Sequence, residues 1–232
     1  MNKRISISEI YGPCLQGEGP VAGRATIFVR TFGCDSYCTV CDSMYAVDPK
    51  APGATYEMLE PGEIAKRIQA ISRTQPVTFT GGNPALWDMN PVLDMLGDQP
   101  AWIETQGTYW RDWIARCAGV VVSPKGPFMD DIRKRPTVLH EFYAYVKPGR
   151  LYLKIVVGGI ADLDYAEHVA SLYPQIPMHL SVGTPPGAST ADVLMRYRWL
   201  QTLVLSNAWP RLQQATFLPQ LHVLTYGHQR GI

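Results

Sequence analysis

Six short runs of apolar, β-branched residues punctuate the chain: ATIFVR (25–30), PVTFT (76–80), AWIET (101–105), GVVVS (119–123), LYLKIVV (151–157) and MHLSV (178–182). Runs of this length and composition predict buried strands. Between them the apolar spacing turns helical. GEIAKRIQAISR (62–73) follows Pro61 and places Ile64, Ile68 and Ile71 on one face. ADLDYAEHVASLY (161–173) and STADVLMRYRWLQTLVL (189–205) repeat that spacing, with Ser189 or Thr190 placed to cap the second. The intervals 85–97, 109–117 and 128–146 are weaker helical segments, because Pro91 and Pro136 interrupt them. Strand alternating with helix predicts an α/β fold, a parallel sheet with helices outside it. No repeat, low-complexity tract or linker divides the 232 residues, so 1–232 reads as a single domain.

After nearly every strand comes a loop rich in glycine or polar residues: TFGCDSYC, TGGNP, ETQGT, SPKGP, VVGG and SVGTPP. Any one of these is an ordinary loop by composition. Six in succession, each after a parallel strand, point to a six-stranded partial TIM-type barrel, (β/α)6, with its chemistry gathered at one mouth.

Composition narrows the partners. The chain is 46% hydrophobic and 18% charged, as a globular protein is. A formal net charge of +1 gives no electrostatic case for nucleic acid or an anionic membrane. MNKRISISEIYGP lacks the apolar stretch of a signal peptide, and no uncharged run approaches membrane-spanning length. The expectation is a soluble protein of the reducing cytoplasm. Three of the five cysteines, Cys34, Cys38 and Cys41, crowd into FGCDSYCTVCDSM (32–44), too tightly for a disulfide framework.

Their spacing is C-x3-C-x2-C. Three thiolates on one loop can hold three irons of a cubane cluster. A structural zinc site wants four closed ligands and a second cysteine pair, whereas Cys14 and Cys117 stand alone. Three unrelated buried cysteines are the remaining alternative. A cluster with three cysteines leaves one iron open to bind something else.

C-x3-C-x2-C after the first strand of a partial barrel resembles the signature of radical S-adenosylmethionine (SAM) enzymes. The resemblance implies a [4Fe–4S] cluster on Cys34, Cys38 and Cys41, with the open iron binding the amino and carboxylate groups of SAM. One-electron cleavage of the sulfonium then gives methionine and a 5′-deoxyadenosyl radical. Finer motifs resemble the 7-carboxy-7-deazaguanine synthase family: YGPCLQGEGPVAGRATIFVRTFGC (11–34), CDS (41–43), TFTGGNPAL (78–86), ETQGT (104–108), SPK (123–125) and LHVLTYGHQRGI (221–232). They span nearly the whole chain. LQGEG with FVR is the most specific part, and a lone TGG is weak.

The family's substrate is 6-carboxy-5,6,7,8-tetrahydropterin, a polar bicycle with an amidine edge and a carboxylate. The resemblance assigns Leu15, Gln16 and Gly17 to the pterin, with Glu18 bracing their loop within a substrate segment spanning 1–24. Arg30, otherwise read as a surface residue ending a strand, offers a planar fork to the carboxylate. Thr80 and Glu104 face the substrate, although a glutamate there also serves simply to end a strand. Gly82, Asn83, Ser123, Pro124 and Lys125 fall at SAM-contacting positions, and the loop Ser181–Thr184 lies where the adenine is met. Asn83 departs from the family's usual glutamate, a change expected to weaken SAM binding without abolishing activity. Ser43, two positions after the last cysteine of the loop 31–44, stands where the family has a threonine beside Mg2+; it offers the same hard oxygen. In the tail 217–232, Gly231 and Ile232 approach the substrate. The family further implies a flavodoxin or ferredoxin-like electron donor and a homodimer.

The segment 125–150 carries no assignable motif and suits a cap over the mouth or an interface. Two rivals remain at this level. A glycyl-radical activase shares the cysteine spacing but needs no pterin loop, and a non-catalytic zinc or iron–sulfur module needs neither pterin nor SAM. Iron, sulfide and zinc analysis separates the module from the enzymes.

Overall fold

The computed structural model describes residues 4–185, 187–227 and 229–231. Its six central strands are the six apolar runs: β2 (Ala25–Thr31), β4 (Val77–Gly81), β5 (Ala101–Thr105), β6 (Gly119–Val122), β7 (Leu151–Val157) and β8 (Met178–Val182). They lie side by side in chain order, every pair parallel. Three further strands extend the sheet. β9 (Thr216–Leu218) adds in parallel to β8; β1 (Ile5–Leu15) pairs antiparallel with β2, and β3 (Glu57–Leu59) with β1. The sheet order is β3-β1-β2-β4-β5-β6-β7-β8-β9, open between β3 and β9.

Alternation along the strands gives the sheet two different faces. Val29, Phe79, Ile103, Val120, Leu153, Ile155 and Leu180 point outward and are fully buried. They meet α1 (Pro61–Ile71) through Ile64 and Ile68, α2 (Asn90–Leu96) through Val92, α4 (Ile160–Leu172) through Leu163 and Ala166, and α5 (Thr190–Val204) through Val193 and Leu200. The inner face carries Phe28, Arg30, Thr80, Glu104, Lys154 and Val156, all lining one cavity at the carboxyl ends of the strands. Below it Trp102 stacks on Tyr152, ring centroids 6.0 Å apart, and Tyr152 meets His179 at 6.2 Å.

The weaker helical segments shrink. Within 85–97, Pro91 sits in the first turn of α2, where its missing N–H is no loss, so it opens that helix. In 109–117 only a 3-10 turn forms, Asp112–Arg116, and in 128–146 the helix is α3 (Leu139–Tyr145), beginning beyond Pro136. The sequence reading missed β1. Its Ile5 and Ile7 alternate into the core, but Gly12 and Pro13 break the pattern, and its ladder shifts register between Ile7 and Glu9 and again between Tyr11 and Cys14. The short helix α6 (Leu221–Tyr226) follows β9.

Candidate active site

The cavity has a volume of about 280 Å3, and its walls differ in construction. One wall is the cysteine loop after β2. Cys34, Cys38 and Cys41 are free thiols that all border the cavity. The loop contains no helix or strand of its own beyond an isolated bridge between Cys38 and Asp131, so its shape comes from neighbouring strand ends. The N–H of Asn83 donates to the Gly33 carbonyl at 2.8 Å, and that of Gly33 to Ala46 at 2.8 Å. A Cβ on Gly82 would collide with the Gly33 carbonyl, so the bare backbone of the TGG loop is used to seat the cysteine loop.

Asn83 is fully buried and does not border the cavity. Its Nδ2 donates to Asp35 Oδ1 at 2.8 Å and to Thr108 Oγ1 at 3.2 Å. Its Oδ1 accepts from the Ala85 N–H at 3.1 Å and from Thr105 Oγ1 at 2.8 Å. The amide expected to meet SAM is thus spent on protein. Gln106, unnoticed in the sequence, donates to Asp35 Oδ1 at 2.6 Å and lies 3.1 Å from Cys34 Sγ.

The unassigned segment 125–150 supplies the other half of the support. Asp131 Oδ1 accepts the Tyr37 N–H at 2.7 Å, the Ile132 N–H donates to the Tyr37 carbonyl at 3.1 Å, and Arg133 Nη1 donates to the Cys34 carbonyl at 2.6 Å.

The donor set fits an iron–sulfur cluster. Among the described residues no three His, Cys, Asp or Glu side chains converge on the position of one ion, whereas the thiolates of a cubane serve separate irons. Burial pushes the Cys34 thiol up to about 11 and that of Cys38 to about 12, so both are protonated at neutral pH until a metal displaces the proton. Gly82, Ser123 and Lys125 border the same space, as SAM requires; Pro124 is buried behind them. Ser43 and Asp42 border it too, Ser43 Oγ donating to Asp42 Oδ1 at 2.8 Å, and these hard oxygens suit Mg2+. Of the stretch Ser181–Thr184, Val182 at the end of β8 and Thr184 just after it also reach the cavity; Ser181 does not.

The opposite wall is built from strand side chains. Lys154 of β7 sits 3.1 Å from Glu18 Oε2 and 4.0 Å from Glu104 Oε2. Glu104 also accepts from Gln16 Nε2 at 2.9 Å and from Thr80 Oγ1 at 3.2 Å. Burial disfavours the Glu18 charge, but Lys154 and His222 outweigh it and hold its carboxyl below the usual range. Burial likewise opposes the Lys154 charge, and Glu104 and Glu18 reverse that, holding the ammonium well above the usual lysine range. Gly17 is glycine because His222 of α6 packs against it: a Cβ would collide with the imidazole, and the Leu221 N–H donates to the Gly17 carbonyl at 3.1 Å. Leu15 completes this wall.

Arg30 of β2 also lines the cavity. Its Nε donates to Glu9 Oε1 at 2.7 Å and its Nη2 to Tyr11 Oη at 3.3 Å. Tyr45 donates to the same Glu9 oxygen at 2.9 Å, and the Arg230 guanidinium lies 3.5 Å from the Tyr45 ring centroid. Gly231 borders the cavity; Ile232, expected beside the substrate, lies outside the described residues.

The sequence reading missed Lys154, His222, Gln106, Asp42 and Arg230. Lys154 had a visible signal, a lone charge inside the apolar run LYLKIVV. The others lie inside the motifs CDS, ETQGT and LHVLTYGHQRGI, where the resemblance gave them no role.

No protein-family model matches the chain. The 7-carboxy-7-deazaguanine synthase of Bacillus subtilis is 34% identical over 246 residues, covering 100% of both chains. That of Bacillus cereus is 33% identical over 245 residues, covering 99% of both. Among solved structures, QueE from Escherichia coli superposes with a TM-score of 0.69 at 21% identity, covering 94% of this chain and 95% of that one, a likeness of fold. Full-length relatedness at this identity places the molecule: the chain belongs to the 7-carboxy-7-deazaguanine synthase family.

Proposed function

We infer that this chain is a radical SAM carbon–nitrogen lyase that converts 6-carboxy-5,6,7,8-tetrahydropterin to 7-carboxy-7-deazaguanine with loss of ammonia, in 7-deazapurine (queuosine-type) biosynthesis. One observation carries the reading beyond the family name: the three thiols and the Gln16, Glu104 and Lys154 side chains all line a single cavity. Cys34, Cys38 and Cys41 would hold the [4Fe–4S] cluster, and Gly82, Ser123 and Lys125 would border SAM. When bound, this pair supplies one-electron chemistry able to remove a hydrogen atom from carbon 6 of the pterin.

The chain's own residues orient and shield. Glu104, held by Gln16 and Thr80, keeps free lone pairs for the paired N–H donors of the amidine edge. Arg30 takes the carboxylate at the other end, with Mg2+ beside Ser43 and Asp42 sharing its charge. Glu9 is the present partner of Arg30 and keeps the guanidinium fixed until the carboxylate arrives. Fixing both ends of a rigid bicycle sets the position of carbon 6 against the cluster wall. The tail, with His222 and Arg230, lies over the same cavity and keeps water from the reacting centre.

The same reading treats 1–232 as one domain and brings a flavodoxin or ferredoxin-like electron donor and a homodimer, both resting on the family resemblance. A cytoplasmic location agrees with five free cysteines, and no described helix is long and apolar enough to cross a membrane.

The test is anaerobic: reconstitute with iron and sulfide, reduce, add SAM, Mg2+ and 6-carboxytetrahydropterin, and identify products by mass spectrometry. The expected result is 7-carboxy-7-deazaguanine, absent without SAM. Deoxyadenosine without the deazaguanine would retain radical SAM chemistry and overturn the substrate.

A further inference from the structure

Lys154 is an anomaly of the fold. It occupies the inner face of a central parallel strand between Tyr152 and Val156, and its side chain is only 9% exposed. A charge in such a place is costly unless paired, and here it has two partners, Glu18 and Glu104. The groups beneath it are neutral. Trp102 and Tyr152 stack there, and burial together with Lys154 itself holds the His179 imidazole below its usual range. Lys154 is therefore the ammonium that balances Glu18 and Glu104, with Asp42 of the cysteine loop and His222 of α6 as further charges around it.

That arithmetic matters for Glu104. Gln16 Nε2 binds one of its oxygens and Thr80 Oγ1 the other, with Lys154 nearest the second. A carboxylate fixed this way presents two parallel acceptors to the cavity, and such a pair matches two adjacent N–H donors. Without Lys154, Glu104 would lose its one ion-pair partner among the described residues, and Glu18 would keep only His222 against its charge. Glu104 would then be free to leave its place between Gln16 and Thr80, and the paired acceptors would be lost.

We propose that Lys154 is the positioning residue for substrate selection: it holds Glu104 as a paired acceptor, and thereby makes the site choose a 2-amino pteridine over its 2-oxo counterpart. This rests on the pterin reading above. In the 2-oxo compound one donor of the edge becomes an acceptor aimed at a carboxylate, and sites built around such hydrogen bonds reject analogues that cannot make them.

The experiment measures dissociation constants by anaerobic isothermal titration on the reconstituted protein with SAM and Mg2+ present. The two ligands are 6-carboxytetrahydropterin and its 2-oxo (lumazine) analogue; the proteins are wild type, Lys154→Met and Lys154→Arg. Wild type is expected to bind the 2-oxo compound about a hundredfold more weakly or worse. In Lys154→Met that preference should fall by about tenfold or more, and Lys154→Arg, which keeps the charge, should retain most of it. Lys154→Gln serves in place of the methionine variant if the latter does not accumulate as folded protein. If the neutral variants bind both ligands more weakly but keep the wild-type ratio, Lys154 is a structural residue and the proposal is overturned. If wild type itself shows no preference, the assignment of Glu104 to the amidine edge has failed, and the role of Lys154 fails with it.

Discussion

The two walls of the cavity solve opposite problems. The cysteine wall is a loop whose functional residues are adjacent in sequence but have almost no local structure to hold them. Its support comes from elsewhere: Gly82 and Asn83 after β4, Gln106 after β5, and Asp131–Arg133 in the segment before α3. The opposite wall needs no such scaffolding, because Thr80, Glu104 and Lys154 stand on rigid strands. Its difficulty is chemical, since three charged groups share a buried space and each depends on the others. The ligand set of the first wall is local and its support distant. The second has its support built in and its chemistry assembled from distant parts of the chain.

Substitutions should separate these designs. The largest effect belongs to Cys38→Ala: iron content drops from about four per chain toward none, and product formation is lost, as iron and product assays would show. Next is Lys154→Met, which should keep its iron while pterin affinity falls by roughly tenfold to a hundredfold, read by titration.

A charge exchange across the support of the cysteine wall comes third. Asn83→Glu would press a carboxylate against Asp35, whose Oδ1 accepts from the present amide at 2.8 Å. It should lower stability by about 1–3 kcal/mol, and adding Asp35→Asn should restore most of that; thermal unfolding of the two single variants and the double variant measures the coupling. The glutamate that the family resemblance leads one to expect is thus unfavourable here unless its neighbour changes as well.

The smallest effect is a pH dependence. Lys154 and His222 lower the Glu18 carboxyl against the opposing effect of burial. A carboxyl lowered in the folded state contributes stability above its unfolded pKa, about 4.3, and that contribution is lost as pH falls through the folded value. The stability gap between wild type and Lys154→Met, measured on iron-free protein, should be full near pH 7 and narrow at about pH 4 and below.

Much of this was legible in the sequence, for reasons that follow from the same contrast. Parallel strands buried on both faces read as unbroken apolar runs, so all six central strands were found within a residue or so. That Cys34, Cys38 and Cys41 border one cavity was legible because three thiols on one loop are a contiguous signal. Asn83 was misplaced for a physical reason: sequence places it beside Gly82 at the mouth but cannot say that the side chain turns inward to Asp35 and Thr105. The partners of Lys154 lie 136 residues away at Glu18 and at Glu104 on another strand, so only folding reveals the triad. β1 was missed because its bulges obscure an alternation that holds only at Ile5 and Ile7.

The most direct measurement determines iron content and pterin affinity together, on Cys38→Ala and Lys154→Met prepared side by side. Independent walls predict a crossed result: Cys38→Ala loses its iron but binds the pterin within about tenfold of wild type, while Lys154→Met keeps its iron and loses the pterin. If both variants lose both properties together, the cavity is one cooperative unit, and the division between a cluster wall and a substrate wall is wrong.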